Sequence, residues 1–150
     1  MTSQHIFILE KARKFCAYQE RCIFDIKKKL ISWKIEEAII SDIILQLKKE
    51  DFINEDRYTL AFASGKLRNN RWGRNKISYA LHQKQIPELT IQIALNSLDE
   101  KEYINTLKAV LSSKTINDDD ETKRNYKLVR YAQQKGFQPE LVWKVIKGEI

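Results

Sequence analysis

An apolar pattern at helical spacing runs through residues 35–47, on Ile35, Ile39, Ile40, Ile43, Ile44 and Leu47, and it returns twice at a constant shift of 51 positions. The first return falls on Ile86, Ile91, Ala94, Leu95 and Leu98, the second on Phe137, Leu141, Val142, Val145 and Ile146. Upstream positions keep step: Ile26 with Ile77 and Leu128, Leu30 with Leu81 and Ala132. A single globular core gives no reason for a fixed period. A stack of similar helical units does, because each unit repeats the same buried face. The segments KLISWKIEEAII, ALHQKQIPELTIQIAL and YAQQKGFQPELVWKVI therefore read as three copies of one helix–turn–helix.

The turns agree with that register. Pro87 and Pro139 fall at the start of the last helix of their copies, where the missing N–H had no helical partner. Gly136 lies in the preceding connector, where a helix C-cap calls for positive φ. A further helix precedes each pair. The expected helices cover about 4–18, 22–33 and 36–50, then 55–69, 73–84 and 87–98, then 99–113, 122–135 and 139–148. The predicted fold is all-α: three tandem three-helix repeats, 1–53, 54–98 and 99–150, stacked into an elongated, curved array. Only four glycines and two prolines in 150 residues argue against a many-stranded sandwich or barrel. A row of units also buries less surface than a compact domain of equal length.

Charge is concentrated in the middle copy. From Arg57 to Pro87 there are seven cations (Arg57, Lys66, Arg68, Arg71, Arg74, Lys76 and Lys84) and no acid, while the rest of the chain balances 20 basic against 20 acidic residues. The net +7 is therefore the charge of one stretch. A solvated helix face alternates signs. A one-sign block repels itself unless an anion compensates, which points to phosphate or an acidic protein surface. A second basic stretch holds Lys123, Arg124, Lys127, Arg130, Lys135, Lys144 and Lys147 against Glu121 and Glu140, and Lys27-Lys28-Lys29 forms a third cluster. The run Asp118-Asp119-Asp120-Glu121 reads as a helix N-terminus capped by Asn117, not as a metal site.

The most specific segment is Asn54–Ile86. An acidic first turn, Glu55-Asp56, opens a helix with Tyr58, Ala61 and Phe62 expected to face inward; a short loop at Asn69-Asn70 leads to Arg71-Trp72-Gly73-Arg74 and the next helix. Here the chain resembles the RecX family, bacterial regulators of the RecA recombinase. The resemblance rests on Arg57-Tyr58, Ala61-Phe62, Lys66-Leu67-Arg68, Trp72-Gly73, Ile77, Leu81, Lys84 and Ile86, and extends over about residues 10–147. Two departures stand out: Ser64-Gly65 places poor helix formers inside the first helix of the middle unit, and Thr90 replaces an apolar residue.

The resemblance implies tandem three-helix units and a protein that binds along the groove of the recombinase–DNA filament. It implies damping of ATPase, strand-exchange and coprotease activities. The residues themselves imply a long helical body with a cationic surface. Together they give a candidate filament- and DNA-binding set: Arg57, Lys66, Arg68, Arg71, Trp72, Arg74, Lys76, Lys84, Lys123, Arg124, Lys127 and Arg130. The expected partners are the RecA filament and DNA, single- or double-stranded, met through phosphates. Trp72 either stacks on a base or a protein surface, or wedges between helices where Gly73 permits close approach. Tyr58, Phe62, Trp33 and Trp143 read as packing residues. A nucleic-acid-binding module acting alone is the competing reading.

No catalytic motif, metal site or cofactor is expected. There is no GxSxG elbow and no phosphate loop, and Gly65-Lys66 alone carries no meaning. His5 and His82 have no evident acid or thiol partner in the sequence. Cys16 and Cys22 read as reduced, buried thiols. No uncharged run approaches the ~20 residues a membrane helix needs. The first residues, MTSQHIFILEKARK, do not read as a secretory signal, so a cytoplasmic monomer is expected.

Overall fold

The computed structural model describes residues 2–150, and among them the chain forms helices and no strand. In order these are α1 (Ser3–Tyr18), α2 (Ile23–Ser32), α3 (Glu37–Lys49), α4 (Glu55–Asn70), α5 (Arg74–Gln83), α6 (Glu88–Asn96), α7 (Glu100–Ser112), α8 (Glu121–Gln134) and α9 (Pro139–Ile146). They make three tandem three-helix units.

The repeat is written in hydrogen bonds as well as in apolar residues. Lys34, Gln85 and Gly136, each 51 positions from the next, all take left-handed φ values of 60°, 59° and 100°. Each closes the middle helix of its unit. The residue that follows donates back to a carbonyl five positions earlier: Ile35 to Leu30 at 3.2 Å, Ile86 to Leu81 at 3.2 Å and Phe137 to Ala132 at 3.1 Å. This C-terminal motif satisfies carbonyls the helix leaves orphaned and turns the next apolar residue inward. The opening helices are set by side-chain caps, with Thr2, Asn54 and Asp99 accepting from the N–H groups of His5, Arg57 and Glu102.

The opening helices begin at Ser3, Glu55 and Glu100, each within one residue of its expected start, and do not keep the shift of 51. Three local expectations need correction. Asp120, not Asn117, caps α8, accepting from Thr122 and Lys123 at 2.9 and 3.3 Å. Ala61 is exposed, while Tyr58 is buried and Phe62 half-buried. Finally, α4 runs unbroken through Ser64-Gly65. A Cβ at Gly65 would meet only the Asn69 side chain, at 3.9 Å, so packing does not require glycine there.

The three units do not hold three cores. The first unit has its own, built from Ile8, Leu9, Ile26, Leu30, Ile40, Ile43 and their neighbours. The second and third share one continuous core running from Leu67, Ile77 and Ile91 to Tyr103, Leu107, Phe137 and Val142. The accessible surface is 9472 Å². A compact monomer of this mass would expose about 8,000 Å². The excess is what a row of small units leaves in solvent.

Candidate functional site

The middle unit's cations divide into two groups. The first group is neutralised by carboxylates of the flanking units. Arg57 binds Glu20 through Nε and Asp51 at 3.0 Å. Lys84 binds Asp25. On the other side, Arg68 meets Glu102 at 2.7 Å and Arg74 meets Glu100 at 3.0 Å. The hydrogen bond that Arg57 donates to Glu20 raises the Arg57 pKa, and the one that Arg68 donates to Glu102 raises the Arg68 pKa. Four of the seven cations in the acid-free window are thus stitches between units. Their partners lie outside the window, which is why the window looks unbalanced.

Arg74 is the most committed of these. Only 18% of its side chain is exposed. Its guanidinium stacks 4.0 Å from the Tyr103 ring centroid and its Nε donates to the Leu95 carbonyl at 3.3 Å. Around it the second and third units meet backbone to backbone. The Gly73 N–H donates to the Lys135 carbonyl at 2.8 Å, and the Asn75 N–H to the Gly136 carbonyl at 2.9 Å. Tyr103 completes the joint: its hydroxyl accepts from the Arg74 N–H at 2.9 Å and donates to Gln138 Oε1 at 2.5 Å.

The second group is left over. Among the described residues Lys66, Arg71 and Lys76 have no carboxylate partner. Lys66 and Lys76 lie 4.8 and 4.7 Å from the centroid of Trp72. The indole is half-buried and packed on the shared core, so it serves first as a wedge and then as a seat for two ammonium groups. Arg71 is exposed at the left-handed C-cap of α4, with φ 55°. In the third unit, Lys127 is tied to Asp118 at 2.9 Å and Arg124 donates to the Asp118 carbonyl at 2.7 Å. The hydrogen bond from Lys127 lowers the Asp118 pKa. Lys123 and Arg130 are exposed and carry no ion pair among the described residues.

A groove of about 780 Å³ opens between the first two units. Its walls carry Arg21, Lys28, Lys29, Lys66 and Lys84 against Glu20 and Asp25, with Phe15, Tyr58 and Phe62 between them. Only Lys66 and Lys84 of this set belong to the sequence-derived candidates. Lys28 and Lys29 register in the sequence only as part of the Lys27-Lys28-Lys29 cluster, and Arg21 does not register at all, because their segment contains enough acid to look balanced. The signal lies in tertiary pairing: Glu20 and Asp25 are taken by Arg57 and Lys84, and their own neighbours are left unpaired.

Other chemistry-bearing side chains have structural explanations. His82 does have an acidic partner, Glu88, at 2.8 Å, the first residue of the next helix and on the surface. Cys16 and Cys22 are free and buried, and burial pushes both thiols up to about 11. Burial also raises the pKa values of Tyr58, Tyr103 and Glu55. Among the described residues no cluster of His, Cys, Asp or Glu could hold a metal ion, and no helix is long and apolar enough to cross a membrane.

Comparison with known proteins bears on what this surface serves. The profile for "RecX, second three-helix domain" matches residues 54–95. The regulatory protein RecX of Clostridium tetani is 35% identical over 136 residues, 87% of this chain and 58% of that protein. The protein of the same name from Clostridium beijerinckii is 34% identical over 82% of this chain and 59% of its own length. The chain thus spans somewhat over half the length of these relatives. The crystal structure of RecX from Lactobacillus salivarius superposes with a TM-score of 0.86, covering 98% of this chain and 97% of that one at 22% identity, which establishes a shared fold.

Proposed function

Since the chain belongs to the RecX family, we propose that it regulates a RecA-type recombinase by lying along the recombinase–DNA filament, and that it mainly inhibits ATPase, strand exchange and coprotease activity. It acts as a cytoplasmic monomer and meets the filament through charge. The observation that carries this reading is the residue of positive charge after internal pairing: Lys66, Arg71 and Lys76 at the middle unit, with Lys123 and Arg130 farther along. These cations are free to meet an acidic protein groove or DNA phosphates without breaking the stitches between units. Arg57, Arg68, Arg74 and Lys84 support the surface by fixing how the units sit.

Titration into a recombinase ATPase assay at fixed DNA tests the reading. Inhibition at protein levels far below those that saturate the DNA supports filament recognition. Inhibition that vanishes simply on adding excess DNA contradicts it and favours a module that binds nucleic acid alone.

A further inference from the structure

The groove between the first two units contains a pre-set anion receptor in Arg21. Its guanidinium lies 3.8 Å from the Phe15 ring centroid, and its Nε donates to the Phe15 carbonyl at 3.1 Å. These two contacts hold the planar group in place. They leave both terminal nitrogens uncommitted, since among the described residues Arg21 has no carboxylate partner. A guanidinium held this way has little ordering left to lose and presents a fork suited to an oxyanion.

The surroundings strengthen the same preference. Lys28 and Lys29 come from α2 and Lys66 from α4, so unpaired cations stand on both walls of one trough. Lys29 lies 5.3 Å from the Phe15 centroid and Lys66 5.4 Å from that of Phe62. The acids on the walls are already taken, Glu20 by Arg57 and Asp25 by Lys84.

We propose that this trough binds the phosphodiester backbone of single-stranded nucleic acid, with Arg21 clasping one phosphate and Lys28, Lys29 and Lys66 meeting its neighbours. A thin strand with a charge on every unit can touch both walls at once. An acidic protein helix shows its charge on one face and would satisfy only one wall. The volume of about 780 Å³ accepts a short strand segment and not a duplex. The Phe15 and Phe62 rings already seat cations, so recognition is of backbone and not of base sequence. The inference rests on the family reading only in expecting a partner that contains nucleic acid.

The test is fluorescence anisotropy with a labelled oligodeoxythymidylate of about 12 nucleotides, within the usual span of single-strand sites. Two variants are compared with the parent, Arg21→Ala at a half-buried position and Lys28→Ala with Lys29→Ala at exposed ones, and circular dichroism checks that each keeps the fold. Each is expected to weaken binding about tenfold and to flatten the plot of log K against log salt by about 0.7 for each phosphate no longer engaged. Arg21→Lys is expected to recover part of the affinity. Unchanged binding in both variants overturns the proposal. So does displacement of the oligonucleotide by poly-glutamate at lower concentration than by unlabelled oligonucleotide, which would mark an acidic protein as the occupant. Recombinase ATPase inhibition, measured on the same samples, separates the two ideas. Oligonucleotide binding indifferent to these variants alongside intact inhibition sinks the trough alone. Binding that depends on Arg21 without any inhibition sinks the regulatory reading alone.

Discussion

The two joints between units are built from equivalent positions and by opposite means. Between the second and third units, Gly73 and Gly136 face each other and the backbones touch. A Cβ on Gly73 would fall 2.4 Å from the Gly136 carbonyl carbon, and one on Gly136 would fall 2.4 Å from the Lys76 Cβ. Between the first and second units the same repeat positions are Cys22 and Gln85. Both carry side chains, and among the described residues no backbone–backbone hydrogen bond crosses that joint. Side chains bridge it instead: Lys84 to Asp25, Arg57 to Glu20, and Glu55 accepting from the Ile23 N–H at 3.3 Å. One joint therefore continues an apolar core while the other keeps two cores apart and leaves a cationic trough. The repeat determines the unit. The presence or absence of a Cβ at two positions determines how one unit meets the next.

The sharpest way to break this contrast is Gly136→Ala. It adds a Cβ where backbone stands and imposes a side chain at φ 100°, so a loss of about 3 kcal/mol is expected by denaturant unfolding. Tyr103→Phe comes next. It leaves the Arg74 N–H and the Gln138 side chain without their partner in a buried joint, at a cost of about 1–3 kcal/mol.

The polar joint should respond less, and in a salt-dependent way. Lys84→Met is expected to cost about 1 kcal/mol at low salt and less at high salt. It should also speed labelling of Cys22, which packs at this joint, more than that of Cys16 in the first core. Burial raises both thiol pKa values to about 11 from an ordinary 9.0, so their protonated forms favour the fold. That contribution is complete below pH 9 and is lost as pH rises through about 11, so labelling accelerates over the same interval. The smallest effect lies away from both joints: Gly65→Ala should stabilise α4 by about 0.5–1 kcal/mol, visible as a raised Tm, because space exists for the methyl group.

Much of this architecture is legible in the sequence, because helix and turn signals act over a few residues. The sequence marks a left-handed closure only at Gly136, and the structure adds its counterparts at Lys34 and Gln85, which stand at the same shift of 51 and are not glycines. The candidate site is legible only in part. The acid-free window marks the middle unit as the cationic one, yet apart from Asp51, six positions from Arg57, its acids stand 26 to 59 positions away along the chain, at Glu100 for Arg74 and Asp25 for Lys84. Counting charge within a segment cannot tell a stitch from a free cation. The same blindness hides Arg21, whose acidic neighbour Glu20 is claimed by Arg57 from another unit. Gly73 and Gly136 are both visible as glycines, but nothing in the sequence pairs one with the other across the joint.

The division of the cations into stitches and free charges is tested most directly by measuring filament affinity against salt together with thermal stability. Two variants suffice, one with Lys66, Arg71 and Lys76 changed to Ala and one with Arg68 and Arg74 changed to Ala. The first should keep its Tm and flatten the log–log salt plot. The second should lower the Tm and keep the salt slope. If Arg68 and Arg74 carried the slope while Lys66, Arg71 and Lys76 left it untouched, the assignment of charge to joint and surface would be reversed.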